Sequence, residues 1–153
     1  MGERMLLVDG GRVVQSGTPR EILDRPASVE VARLLGQYNL LAAEIAALDP
    51  ANGASLLRIG RHEVAGPYYP GRLRGDRVWV YVRPDQLRAS PAGIDVGPNE
   101  VVLELAGVAD TPGGVRLSFA DGISVDMSRA DFEPHRDNRR WRVEFPAEHL
   151  RLL

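Results

Sequence analysis

The chain has 153 residues, 44% of them apolar and 26% charged, and a formal charge of −2. This is the make-up of a folded globular chain, with room for one ordinary core or for a short lead-in plus a domain of roughly 110 residues, and it offers no general attraction to nucleic acid or anionic membrane. Cysteine is absent, which excludes disulfides and thiolate metal sites and fits a cytoplasmic address.

The start, MGERMLLVDGG, lacks the basic region, long apolar core and cleavage site of a signal peptide, and Leu6 stands where a myristoylation signal needs Ser or Thr. Met5 to Asp9, the turn signal Gly10-Gly11 and Arg12 to Gln15 predict a hairpin. Thr18, Pro19 and Glu21 then read as a capping box with proline at the first helical position, so a short helix should run from Pro19 to about Asp24 and stop before Pro26. Ser28 caps a second helix, Val29 to Leu35, with Val31, Leu34 and Leu35 on one face and Gly36 as the stop. From Asn39 onward about eight short strand-like runs alternate with Gly, Pro, Asn and Asp clusters, the spacing of a small barrel or sandwich. They are Leu40 to Leu48, Ser55 to Ile59, Arg61 to Ala65, Arg77 to Arg83, Glu100 to Val108, Val115 to Phe119, Ile123 to Met127 and Trp141 to Phe145. Arg77 to Arg83 is apolar on both faces, Val78, Val80 and Val82 against Trp79 and Tyr81, as a central strand is. VRLSFADGISVDM predicts a hairpin turning at Ala120-Asp121-Gly122, and PAGIDVGPNE a surface loop. No internal repeat is legible. No apolar run reaches the roughly 18 residues of a membrane helix.

Residues with chemistry are sparse. His62, His135 and His149 are too scattered for a metal-ligand spacing, so no metal site is expected. Asp24, Glu30, Asp76, Asp85 and Asp95 form no acid–base pair, and Ser16, Ser55, Ser90, Ser118, Ser124 and Ser128 lack a GxSxG elbow, so no catalytic residue is expected. The basic run HRDNRRWR, residues 135 to 142, admits two readings: a backbone-binding patch with Trp141 stacking on a base, or a solvated turn with Trp141 in or near the core. An acidic chain with 6% aromatics favours the second. Turns at 110–114 and 121–122 could host an oxyanion on backbone N–H groups, although plain turns explain them as well. All nineteen basic residues are arginine; a Walker A loop requires lysine, so no such loop exists here.

Residues 11 to 39 resemble the end of the nucleotide-binding domain of ATP-binding cassette (ABC) import ATPases. The resemblance rests on Gly11, Val13, Val14, Gln15, Gly17, Thr18, Pro19, Glu21, Ile22, Pro26, Ser28, Val31, Ala32, Leu35, Gly36 and Asn39. The remainder is similar to the transport-associated OB (TOBE) domain that follows it in that family: Tyr81-Val82-Arg83-Pro84-Asp85 stands for its v-x-x-R-P-E, with Asp for Glu, and Val115 to Val125 for its v-x-l-x-d-G-x-x-v-x-v. The Pro-Gly common before the last strand is missing.

The resemblance implies a mainly β chain: residues 1–38 as the tail of a nucleotide-binding domain, and residues 39–153 as an OB-like small β-barrel preceded by the β-hairpin and the two helices. It implies the C-terminal regulatory and dimerisation domain of an importer's ATP-binding subunit, coupling ATP hydrolysis to solute uptake in the full-length protein. The Walker A, Walker B, signature and switch-histidine motifs are missing, so no ATP or Mg site, and no other cofactor, is expected in this chain; ATP and Mg belong to the parent. The implied partners are a second copy (a homodimer), the nucleotide-binding domain of the same polypeptide, the membrane permease and, in some members, a small ligand, with no nucleic acid. The implied location is the inner face of the cell membrane. Asn39, Arg83, Pro84 and Asp85 are the expected contacts between domains. Two other readings of the same fold are a free-standing binder of a small oxyanion such as molybdate or sulfate, and an OB-fold nucleic-acid binder.

Overall fold

A computed structural model describes residues 4–36, 38–93, 96–120 and 122–153. Asp95, Asp121 and the side chain of Asp24, which entered the sequence reading, lie outside the described parts. The lead-in forms as its punctuation dictates. β1 (Met5–Asp9) and β2 (Arg12–Gly17) pair antiparallel across Gly10 and Gly11, both at positive φ. In α1 (Pro19–Asp24) the Glu21 N–H donates to Thr18 Oγ1 at 3.2 Å and the Thr18 N–H to the Glu21 carboxylate at 3.3 Å, closing the capping box. In α2 (Val29–Leu35) Ser28 caps the start and Gly36, left-handed at φ 65°, ends it. Val31 is buried but Leu34 is exposed, so the apolar face is narrower than the sequence suggests.

The rest is β. β3 (Asn39–Asp49), β4 (Ala54–Ile59) and β5 (His62–Pro67) form a meander; β6 (Arg77–Val82) adds to the free side of β3, and β12 (Arg151–Leu152) adds outside β6. β8 (Glu100–Thr111), β9 (Gly114–Phe119) and β10 (Ser124–Met127) form a second meander; β11 (Arg140–Glu144) adds to the free side of β8, and β7 (Arg88–Pro91) adds outside β11. The two five-stranded sheets therefore share one plan, down to a register shift in the first strand: after Ile45 in β3 and after Leu105 in β8. The second sheet curls until β10 lies against β7, and β5 meets the turn Ala147–His149 that leads into β12. Such curling on a bulged long strand is how an OB-like barrel closes.

One apolar core joins the sheets: Ile45, Leu57, Val64 and Val80 from the first, Leu117, Val125, Trp141 and Val143 from the second. β6 is central as its two apolar faces imply, although Trp79 keeps about a third of its surface in solvent. β7, β12 and the short helix α3 (Arg129–Phe132) carry too few residues to show a period, and the sequence reading missed them. Among the described residues no helix is long and apolar enough to cross a membrane.

Candidate functional site: the joints between the two sheets

Two asparagines tie each meander to the other. Asn39, buried at the start of β3, donates from Nδ2 to the Ser124 carbonyl and accepts from the Ser124 N–H, both at 2.8 Å. Asn99, one residue before β8, accepts from the Ala65 N–H and donates to the Ala65 carbonyl, both at 2.7 Å; its Nδ2 also reaches the Phe145 carbonyl at 2.8 Å. In each case a side-chain amide pairs with one backbone residue of the third strand of the opposite meander, as a neighbouring strand would. Asn99 stands at φ 57°, a left-handed conformation that asparagine tolerates better than most residues.

The other three predicted residues fall at the Asn39 joint. Arg83, Pro84 and Asp85 follow β6; Pro84 starts the 3-10 turn Pro84–Gln86, which sits against β10. Arg83 Nε donates to Asp85 at 3.1 Å, and its backbone N–H donates to Gln86 Oε1 at 3.1 Å. Beyond them Arg116 of β9 grips Asp126 of β10 with two bonds, at 2.7 and 3.1 Å. Hydrogen bonding to Asp126 pushes the Arg116 pKa upward, and Asp85 adds a smaller attraction. The structure thus brings Asn39, Arg83, Pro84 and Asp85 together on β10, and the bonds they make lie within the β region.

Sequence reasoning missed Asn99. The signal was there: NLLAAEIA from Asn39 and NEVVLELA from Asn99 share Asn at position one, apolar residues at three, five and seven, Glu at six and Ala at eight. Short apolar strands match each other so easily that this offset carries no weight until the pairing is seen.

The lead-in touches the barrel at the outer face of the first sheet. The Arg33 guanidinium lies 5.7 Å from the centre of the Trp79 ring, and Tyr38 meets Tyr81 edge-on at 5.6 Å. The basic run 135–142 is a turn before β11: Trp141 is fully buried, stacks on Phe132 and donates to the Asn138 carbonyl at 2.9 Å. A buried indole cannot stack on a base, so the run offers no aromatic platform to a nucleic acid. The 110–114 turn carries an Asp110–Arg129 ion pair, so a carboxylate stands beside the supposed anion site. Among the described residues no group of His, Cys, Asp and Glu could hold a metal ion.

No protein-family model matches the chain. It is 38% identical over 106 residues to the spermidine/putrescine import ATP-binding protein PotA of Frankia alni, covering 64% of this chain and 23% of that protein. It is 29% identical over 160 residues to the protein of the same name from Ruegeria pomeroyi, covering all of this chain and 42% of the relative. The chain therefore spans less than half the length of these relatives. Among solved structures, the cytoplasmic molybdate-binding protein ModG superposes with a TM-score of 0.62 at 11% identity, over 74% of this chain and 94% of that one. At that identity the likeness is one of fold.

Proposed function

We propose, from the premise that this chain is homologous to the ATP-binding proteins of ABC importers, that it is the regulatory and dimerisation part of such a subunit. The observation that carries the proposal is the alignment with the Ruegeria pomeroyi relative, which runs through the whole chain and so joins the helical lead-in and the barrel in one longer polypeptide. The hairpin supports it. Leu6, Val8 and Val13 are all more than half exposed, and a two-stranded hairpin is marginal alone. In a longer polypeptide this apolar surface packs on the nucleotide-binding part, and α1 and α2 transmit its movement to the barrel through Arg33–Trp79 and Tyr38–Tyr81.

The mechanism is one of coupling. Anything that prefers one arrangement of the paired barrels shifts ATP hydrolysis in the parent by its differential affinity for the two arrangements. Asn39, Arg83, Pro84 and Asp85 keep the barrel a rigid body, so force applied at the lead-in moves it whole. The parent holds ATP and Mg, works with membrane permease subunits at the inner face of the membrane, and pairs with a second copy. The purified 153-residue chain is expected to turn over no ATP and to self-associate. Mg-dependent hydrolysis by the pure chain would overturn the proposal.

A second reading has one observation in its favour: the matching ModG structure has molybdate bound. Calorimetric titration with molybdate tests it: no saturable heat from the isolated chain would remove the oxyanion-binding reading, and a stoichiometric isotherm would support it.

A further inference from the structure

β8 runs past its partner. Its ladder with β11 ends at Glu104, opposite Arg140, and one further bond reaches out, from the Leu105 N–H to the Arg139 carbonyl. Beyond the register shift, Gly107 to Thr111 pairs only with β9 among the described residues. Ala106, Gly107, Val108, Ala109 and Asp110 are all exposed, Val108 to 45%. Backbone direction alternates along such a ladder. The Leu105 N–H points away from β9, and the Phe119 N–H points away from β8 to the Ile123 carbonyl. After the shift, Gly107 and Ala109 therefore face β9, while Val108 and Asp110 turn their N–H and C=O groups outward. Their side of the strand is an open edge.

The corresponding edge in the first sheet is partly closed. There the Ile45 N–H donates to the Asp76 carbonyl, and the Gly75 N–H donates to the Ile45 carbonyl, so the loop before β6 covers the strand. Among the described residues the β8 edge has only the first of these two bonds. It carries no lysine and no proline at an outward N–H; its guards are the register shift just before it and the charge of Asp110, which Arg129 offsets.

We propose that this edge is where a second copy of the chain docks, by antiparallel β8–β8 pairing about a two-fold axis at Ala109. The proposal rests on the dimerising role above and names the surface that performs it. The edge is self-complementary in that register. Val108 of one copy faces Asp110 of the other as a hydrogen-bonded pair in both halves, so the outward groups satisfy each other. Ala109 meets its own copy at the close, non-hydrogen-bonded position, where a small side chain is needed. No two like charges stand directly opposite, and each Asp110 already has Arg129 as a counter-charge. The pairing joins two five-stranded sheets into one of ten and covers Val108.

Two variants test it. Val108→Pro removes an outward N–H without touching the β8–β9 ladder, and proline is accepted at such edge positions. It is expected to keep the circular dichroism of the parent chain and to weaken the dimer at least tenfold in sedimentation equilibrium. Ala109→Cys in this cysteine-free chain places two thiols about 4.5 Å apart between Cα atoms, within disulfide range, and is expected to cross-link quantitatively on mild oxidation. Leu73→Cys, at a site 70% exposed and away from the edge, is expected to stay at background. A dimer that survives Val108→Pro, or one in which Ala109→Cys links no better than Leu73→Cys, overturns the edge and leaves the dimerising role standing. A wild-type chain that is monomeric at about millimolar concentration overturns both. Should Val108→Pro fail to fold, the cross-linking result decides.

Discussion

Asn39 and Asn99 act as extra peptide groups. Each presents a donor and an acceptor to a single backbone residue across a gap no strand fills, so removing either amide leaves a backbone N–H and C=O without partners. A buried group orphaned in this way costs roughly 1–3 kcal/mol. Asn39→Ala is accordingly expected to lower unfolding free energy by about 2 kcal/mol in a urea titration. In Asn99→Ala water can replace the bonds to exposed Ala65, so its cost is expected to come from the freed Phe145 carbonyl and from alanine at φ 57°. Equal small losses, near those of surface alanine variants, would show that the clamps do not hold the sheets. Asn39 was visible as a motif residue. Asn99 sat unremarked in a loop, because nothing in a one-dimensional string says which strand a side chain will reach.

The elements divide by how local their causes are. α1 and α2 have the predicted bounds because each of their capping bonds spans only three or four residues in sequence. Thr18→Ala removes one bond of the capping box and is expected to cost about 1 kcal/mol locally, read as roughly fivefold faster amide exchange at Glu21 and Ile22. Unchanged exchange would mean that packing alone, through buried Ile22, holds the helix. The long strands were equally legible, since alternation over six or more residues is a strong signal. β12, with two residues, exists only because β6 offers it an edge.

At the scale of the molecule the chain returns from the second sheet to finish the first, and Tyr69 marks the closure. Its hydroxyl donates to the Leu150 carbonyl at 2.9 Å, just before β12. Gly66 must be small here, because a Cβ on it would come within 2.6 Å of that hydroxyl. Burial raises the Tyr69 pKa well above the ordinary value of 10.0. The folded state therefore keeps a proton that the unfolded state releases. The associated stability is complete below about pH 10 and is lost as pH climbs above it. Unfolding free energy is expected to fall steeply between roughly pH 10 and 11, and Tyr69→Phe, less stable at neutral pH, should show a shallower fall. Parallel alkaline slopes for the two proteins would remove Tyr69 as the cause.

Legible along the chain alone were the mainly β class, the two capped helices, the resemblance to the importer ATPases and the exclusion of a Walker A loop. Each of these is fixed by residues near one another in the chain, or by composition. Tertiary structure decided that two sheets share one plan, that β12 crosses back to complete the first, that Trp141 is core, and that Asn39 and Asn99 face opposite meanders. It alone left half of β8 with an open edge. These outcomes turn on which strands meet. With period-two apolar patterns that fit many partners, pairing is settled by closing a single core around all of them at once.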